Sequence, residues 1–496
     1  MSIEKSGVQT THPDYDKNLT KWIQVDDCIG GALQVKSKGT QYLPNPDAYL
    51  SDCQPKDMAQ LEAWQRSCSI ASTRYGSYLQ RAMFLGFTKR TKDGMVGGVF
   101  RKDPVVEVPS QLEYLIGDVD GNETDLNQQS RVVMDQALRK GRSGLLVDMP
   151  YNESVSSLKD VQSGMSVPRI QKYEAQDIIN WRFARIGSTV KVVMIVLKEK
   201  YEKSLGGNPY QTQEYDQYRV LMIDENGYYV QQLHRYDSGN EVEVVTYDNI
   251  RANGQRLTSI PFFFVGSEEN DYTVDDAPLY DLSEVNIAHY RNSADNEESS
   301  FITGQPTLVI APSKSLGNPK QFAEANPNGI VLGSRQGINV GEGGNAFLLQ
   351  AEANNLAKQN MLDKEQQAIS IGAELISPSK QQTAEAARIQ KGADTSVIAT
   401  VANNVSDAYT NALKACAMFL GAQEDGISYN LNTDFFLEML TAQDRAQWVA
   451  EINMGILPKS AYYTRLRKTG QIPAELDDGD ISAAIEAQGG MSGGLI

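Results

Sequence analysis

The chain has 496 residues, 41% apolar and 22% charged, so it is expected to fold as a soluble protein of two to four substructures rather than around one core. Lysine and arginine number 46 and aspartate and glutamate 63, a formal balance of −17. Tight general binding to DNA draws its affinity from cations that displace counterions, so this balance argues against it, though not against a surface that DNA passes without sticking.

No run of about 18 apolar residues is present, so no membrane span is expected. The opening, "MSIEKSGVQTTHPDYDKN", lacks the apolar core of a signal peptide. Cys28, Cys53, Cys68 and Cys416 are scattered without a CxxC pair. That suggests neither zinc nor a disulfide framework, and it suits a reducing compartment.

Residues 13–30 read as a short helix stopped at Gly30-Gly31, and "YLPNP" then breaks the chain. Met58, Leu61, Trp64, Cys68, Tyr75, Leu79, Met83 and Leu85 give residues 56–87 a helical pattern. "TKRTKDGMVGGVFRKDP" reads as a turn-rich strand region closed by Pro104. A helix over 126–140 leads through Gly141 and Gly144 into "GLLVDMP", a short buried strand. Between 186 and 265 four or five strand-like runs, ending in "IPFFFVG", predict an antiparallel meander. Its "DENGY" hairpin is expected to place Asn226-Gly227 at positive φ.

Residues 278–303 begin as an amphipathic helix with Leu279, Leu282, Val285 and Ala288, then turn nearly all polar from His289 to Ser300. Residues 304–346, rich in Gly, Pro and Asn, surround two strands, "PTLVIA" and "GIVLG". A second sparse helix covers 352–376. Two such helices make a hairpin roughly 37 Å long. It is too polar to bury enough surface alone. It is either an exposed arm or coiled-coil hairpin, or one of many copies packed side by side in a ring. After Pro378 comes "QQTAEAARIQKGADTSV", where a helix expected over 383–420 has a nearly bare first half. Its second half, with Ile398, Val401, Val405, Ala408, Ala412, Cys416 and Phe419, is expected to be buried. Two short helices broken at Gly455 and Pro458 follow, then the tail "DDGDISAAIEAQGGMSGGLI", expected to be loose.

This order of parts resembles the tailed-bacteriophage portal proteins, the head-to-tail connectors. "YLPNP", "YGSYLQRAMFLGFTKRTKDGMVGGVFRKDP" and "ILPKSAYYTRLRKTG" carry the likeness, over roughly residues 12–475. The resemblance implies an α+β portal fold, divided into a mixed α/β wing with an antiparallel meander (1–277), a stem helix (278–303) and a small β-rich clip (304–346). After these would come a stem return helix (347–377), a tunnel-loop region (378–394), a long wing helix (395–421) and a C-terminal helical crown and tail (422–496). It further implies a ring of about twelve copies at one capsid vertex of a virion, assembled in the host cytoplasm, through which double-stranded DNA is packaged and ejected. The implied partners are the packaging terminase, a head–tail adaptor and the major capsid protein, with no membrane and no cofactor. Lys380, Gln381, Gln382, Arg388 and Lys391 would then lie at the channel. Lys314, Asn318, Lys320 and Arg335 would lie on the docking face of the clip. An acidic bore offers DNA few ion pairs, which keeps friction low.

Nothing marks catalytic chemistry. His12, His234 and His289 are the three histidines, far apart in sequence. "GEGGN" at 341–345 lacks the GK[ST] ending of a phosphate loop and reads as a turn. Asp26-Asp27, Asp275-Asp276 and Asp477-Asp478 read as exposed acidic pairs rather than metal ligands, and Asp148 as a strand-ending turn residue. Two other classes stay open: a tail or baseplate component of a virion, and a mixed α/β hydrolase or nuclease.

Overall fold

The computed structural model describes residues 7–49, 58–149, 167–204, 210–237, 239–305, 307–330, 337–350, 355–376, 396–433, 448–452, 454–468, 472 and 476–487. Within them the chain is α+β. The first helix, α1 (Pro13–Gly30), starts where Pro13 fixes the first turn and His12 Nδ1 accepts from Asp14 N at 3.2 Å. It stops at Gly31, whose φ of 87° ends the helical run. Trp22, Val25, Cys28 and Ile29 turn inward, and Trp22 Nε1 donates to the Lys140 carbonyl at 2.8 Å.

After α2 (Met58–Arg81), residues Phe87–Val99 form a helix, α3, where a turn-rich strand was expected. Thr88, Met95, Val96 and Val99 are its buried face, while Gly94, Gly97 and Gly98 have open space about them. Packing of that face against α1, α4 and α5 overrides the weak helix propensity of three glycines. Helix α4 (Leu126–Lys140) is capped by Asp125, which accepts from Gln128 N at 2.6 Å. It ends at Gly141, where φ is 67° and a Cβ would sit 2.6 Å from the carbonyl oxygens of Asp275 and Asp276.

Strands β1 (Val105–Glu107), β2 (Arg142–Asp148) and β3 (Arg169–Glu174) precede the meander. The meander is a five-stranded antiparallel sheet of β4 (Ile178–Ile186), β5 (Thr189–Ser204), β6 (Thr212–Ile223), β7 (Tyr229–Asp237) and β8 (Asn240–Tyr247), paired in sequence order. In its 224–228 turn only Gly227 has positive φ, 82°, rather than the expected Asn-Gly pair. Asp224 makes that possible. Its side chain accepts from Asn226 N and Tyr228 N, and its carbonyl accepts from Gly227 N at 2.9 Å. The run "IPFFFVG" does not extend the meander. It forms β9 (Phe262–Gly266), which pairs antiparallel with β2 in a separate sheet of order β9-β2-β3.

Helix α5 (Tyr280–Thr303) leads to β10 (Thr307–Ala311), the short α6 (Pro319–Ala325) and β11 (Asn345–Leu349). The strand that pairs with β10 is β11, and residues 331–333 of the expected strand "GIVLG" lie outside the described residues. Helix α7 (Leu356–Ile376) therefore begins well after the boundary at 347 drawn from the sequence. Helix α8 (Val397–Leu420) also starts later than expected: Ser396 is its cap, in extended backbone, with Oγ accepting from Ala399 N. Residues 381–395 of the expected bare half lie outside the described residues. Strand β12 (Ser428–Asn430) returns to pair with β1, and α9 (Lys459–Lys468) and α10 (Asp478–Ala487) follow. The expected loose tail is thus helical over 478–487. Asp477 accepts from Asp480 N at 2.7 Å and Arg467 pairs with Asp478, which together hold its first turn.

One large core joins α1, α3, α4, β2, the proximal meander and α8. Helix α8 is its late-arriving centre. Tyr409 OH donates to Gln129 Oε1 at 2.9 Å, and nearby Tyr429 OH, on β12, donates to Ser130 Oγ at 2.5 Å.

Candidate functional site

The part of the fold that its own core does not explain is the α5–α7 hairpin with the β10–β11 ribbon at its end. The first two thirds of α5 are less bare than its polar sequence implies. Leu282, Ser283, Asn286, Ile287, His289, Tyr290, Ser293 and Ala294 are buried. The polar ones among them grip neighbouring backbone. Asn286 Oδ1 accepts from Thr88 N and Thr88 Oγ1, and Asn286 Nδ2 donates to the Leu85 carbonyl at 2.6 Å. Ser293 Oγ accepts from Met83 N and donates to the Met83 carbonyl at 2.7 Å. Further along, Tyr78 OH donates to Asp295 Oδ1 at 2.6 Å, and Arg81 pairs with Glu298 while lying over the Phe301 ring. These contacts fasten the segment between α2 and α3 to α5, so the polar face serves the chain's own packing as far as Glu298.

Helix α7 is different. Among its described side chains only Ala368 is buried outright, with Gly372 seated against Thr91. Leu362 and Ile369, seven residues apart on one face, are 51% and 71% exposed, and Leu356 is also exposed. Every residue of β11 is exposed, Phe347, Leu348 and Leu349 included. An isolated two-stranded ribbon with an uncovered apolar strand is marginal in water. Between the helices lies an open cleft of 430 Å³, bounded by Asn296, Ser299, Ser300 and Thr303 on one side and Lys358, Met361 and Glu365 on the other.

At the crossing of the two helices His289 is fully buried. Its Nε2 lies 3.4 Å from Glu365 Oε1, its Nδ1 has no partner among the described residues, and the Phe87 ring meets it edge-on at 5.0 Å. Burial pushes this imidazole below the usual histidine range, and Glu365 only partly offsets it. The other histidines sit elsewhere: His12 stacks on Trp181 at 4.0 Å, and His234 Nδ1 meets Glu241 at 2.6 Å. The three are on α1's cap, β7 and α5, so the fold does not bring them together.

The predicted clip residues divide. Lys314 opens a single 3-10 turn, Asn318 caps α6 by accepting from Lys320 N at 3.0 Å, and all three are exposed. Arg335 lies outside the described residues, as do Lys380, Gln381, Gln382, Arg388 and Lys391. The turn "GEGGN" folds under Ser313. Ser313 N donates to the Val340 carbonyl at 2.8 Å, and a Cβ at Gly341 would lie 2.2 Å from Ser313 Oγ. That packing accounts for its glycines without a phosphate.

The acidic pairs are ion-paired or capping. Asp26 accepts from Arg139 and Lys140, Asp27 from Tyr42 OH at 2.6 Å, and Asp275 from the backbone of Glu268 and Glu269. Asp148 belongs to a half-hidden network that sequence reading missed. Arg219 bonds Asp148 Oδ2 at 3.1 Å and Glu199 Oε1 at 2.7 Å, and Tyr173 OH donates to Glu199 at 2.5 Å. Burial works against the Glu199 charge, but Arg219 outweighs it and holds that carboxyl below its usual range. Burial pushes Asp148 up. Among the described residues no three His, Cys, Asp or Glu side chains gather as a metal site, and no helix is long and apolar enough to cross a membrane.

Residues 278–420, from α5 through α8, match a family described as a domain of unknown function, DUF4055. No curated protein matches the chain. Among solved structures it is similar to a chain from a virion of native gene transfer agent (GTA) particle, at 14% identity and a TM-score of 0.43, covering 80% of this chain and 93% of that one. A chain from the neck of empty GTA particle, computed with C6 symmetry, gives 14% identity and 0.41, covering 79% and 92%. One from the neck of native GTA particle, computed with C12 symmetry, gives 15% and 0.41, covering 77% and 89%.

Proposed function

We propose that this chain is a portal subunit, a structural protein that closes into a ring of about twelve copies at one vertex of a virion, with double-stranded DNA passing along the axis. The observation that carries the reading is α7 with its ribbon: a helix with one thin buried seam, and Leu362, Ile369 and the whole of β11 uncovered. A ring supplies the missing cover on every copy at once, because each subunit meets the same neighbour. In this reading α5 and α7 are the stem, and residues 304–346 are a clip on which the packaging motor and then a head–tail adaptor dock through Lys314, Asn318, Lys320 and Arg335. Residues 378–394 line the narrowest part of the channel. There Lys380, Arg388 and Lys391, with Gln381 and Gln382, touch phosphates weakly in a bore whose overall charge is acidic. No catalysis is asked of the chain.

Negative-stain images and native mass of the purified full-length protein test the reading. Rings with a central hole are expected, and monomers at every salt concentration would sink it. The channel assignment has its own test. Arg388→Glu with Lys391→Glu should leave rings intact and lower the genome held in assembled particles. A full, stably held genome would remove those side chains from the channel.

A further inference from the structure

The five-stranded sheet ends in two open edges of opposite character. On one side the inner half of β4 is covered, because His12 N donates to the Ile179 carbonyl at 2.8 Å and Asn180 Nδ2 donates to the Thr10 carbonyl. Its outer half is not: every residue from 182 to 191 is exposed, through the β4–β5 turn. That stretch carries Arg182, Arg185 and Lys191, none in an ion pair among the described residues, with Phe183, Ile186 and Val190 about half exposed. No carboxylate occurs from 178 to 198, in a chain whose formal charge is −17. The far edge, β8, pairs among the described residues with β7 alone, and it exposes Val242 and Val244 in alternation with Glu241 and Glu243. His234 meets Glu241 and Arg235 meets Glu243 across the β7–β8 pair, and both carboxylates stay over two fifths exposed.

An open, apolar strand edge invites another strand. Charge selects which one. Two β4 edges would set arginines against arginines, and two β8 edges glutamates against glutamates, and like charges across a strand pair are unfavourable. The β4 edge against the β8 edge sets Arg182 and Arg185 near Glu241 and Glu243, and Phe183 and Ile186 near Val242 and Val244. The two edges lie on opposite sides of one sheet, four strand spacings apart or about 19 Å. A contact between them is therefore heterologous, the kind that closes rings. Strand direction follows too. Neighbouring strands are antiparallel throughout, so β4 and β8 run the same way, and the junction is parallel.

We infer that the occupant of each edge is a second copy of this chain, β8 of one subunit running parallel beside residues 182–186 of the next, so that the sheets join around the ring. This rests on the ring reading of the proposed function. The test uses full-length protein with Cys53→Ser and Cys68→Ser, since Cys28 and Cys416 are buried. Into it go Ala184→Cys together with Val242→Cys, Glu243→Cys or Val244→Cys. Adjacent strands place Cα atoms about 4.8 Å apart, within disulfide reach. Mild oxidation of assembled rings should give a ladder of covalent oligomers for at least one pairing, and no ladder for any single cysteine variant. Rings without a ladder from any of the three pairings, their edge cysteines still open to maleimide, overturn the inference and leave the ring reading standing. A parent protein that never forms rings overturns the ring reading, and this inference falls with it.

Discussion

Asn286 holds Thr88 by two bonds at once, its Oδ1 accepting from both the backbone N at 3.2 Å and Oγ1 at 3.1 Å, while its amide reaches back to the Leu85 carbonyl. Both side chains are buried to the last ångström, so the start of α3 hangs on one amide of α5. Asn286→Leu keeps the volume and deletes all three bonds. Each buried group left without a partner costs about 1–3 kcal/mol. The melting temperature of the variant should fall by several degrees, with α3 gaining amide exchange first. An unchanged melting temperature would mean that water replaces the amide.

The His289 imidazole gives a pH dependence with a definite sign. Its folded-state value lies below the ordinary 6.5, because burial disfavours the charged form. Above about pH 6.5 both folded and unfolded chains hold it neutral and its full contribution is present. As pH falls below that, the unfolded chain takes the proton first and stability drops. His12 acts in the same direction, pushed down by burial. Denaturation midpoints measured from pH 7.5 to 5 should therefore decline. His289→Gln should flatten the decline in part, and His12→Gln with His289→Gln further. A slope unaltered by both would show that other groups carry it.

Glu199 and Arg219 make a pair that is cheap to keep and costly to halve. Their side chains are 17% and 16% exposed. Arg219→Met strands the Glu199 carboxylate, a loss of about 3–5 kcal/mol for a buried pair broken on one side. Arg219→Met with Glu199→Gln and Asp148→Asn should recover most of that, because neither carboxylate that Arg219 bonds is then left charged and unpaired. Urea midpoints of the two variants decide it. Equal losses in both would mean that packing, not charge, is what Arg219 supplies.

Several elements were legible because apolar spacing and stop residues agree: α1 with Gly30-Gly31, α4 with Gly141, and the valine and alanine seam of α8. Others were hidden for physical reasons. Helix α3 reads as a turn because Gly94, Gly97 and Gly98 dilute its pattern, and only its neighbours reveal that Met95, Val96 and Val99 share a buried face. Strand β9 looks like the last strand of the meander, since nothing in "IPFFFVG" tells β2 from β8 as its partner. The polar residues of α5 look solvated because sequence does not distinguish an exposed asparagine from one that, like Asn286, is buried and bonded through both its amide nitrogen and its oxygen. The reverse holds for α7. Its exposed Leu362 and Ile369 look like an ordinary sparse helix until the fold leaves them uncovered. Of the candidate site, Lys314, Asn318 and Lys320 are exposed, and Arg335 and the positions proposed for the channel lie outside the described residues.

The uncovered face of α7 separates folding from assembly. Leu362 and Ile369 sit two turns apart on the same side and touch little of their own chain. Surface replacements away from buried features usually shift stability by no more than about 0.5 kcal/mol. Leu362→Glu with Ile369→Glu should thus leave the circular dichroism and the melting temperature of the monomer near those of the parent. In a ring the same pair sets two desolvated carboxylates per copy against a neighbour, and the penalty repeats at every interface. Light scattering should shift from ring mass to monomer mass, and negative-stain images should lose the central hole. If rings survive the double substitution at parental yield, the α7 face looks outward in the assembly and the cover it lacks comes from a different protein.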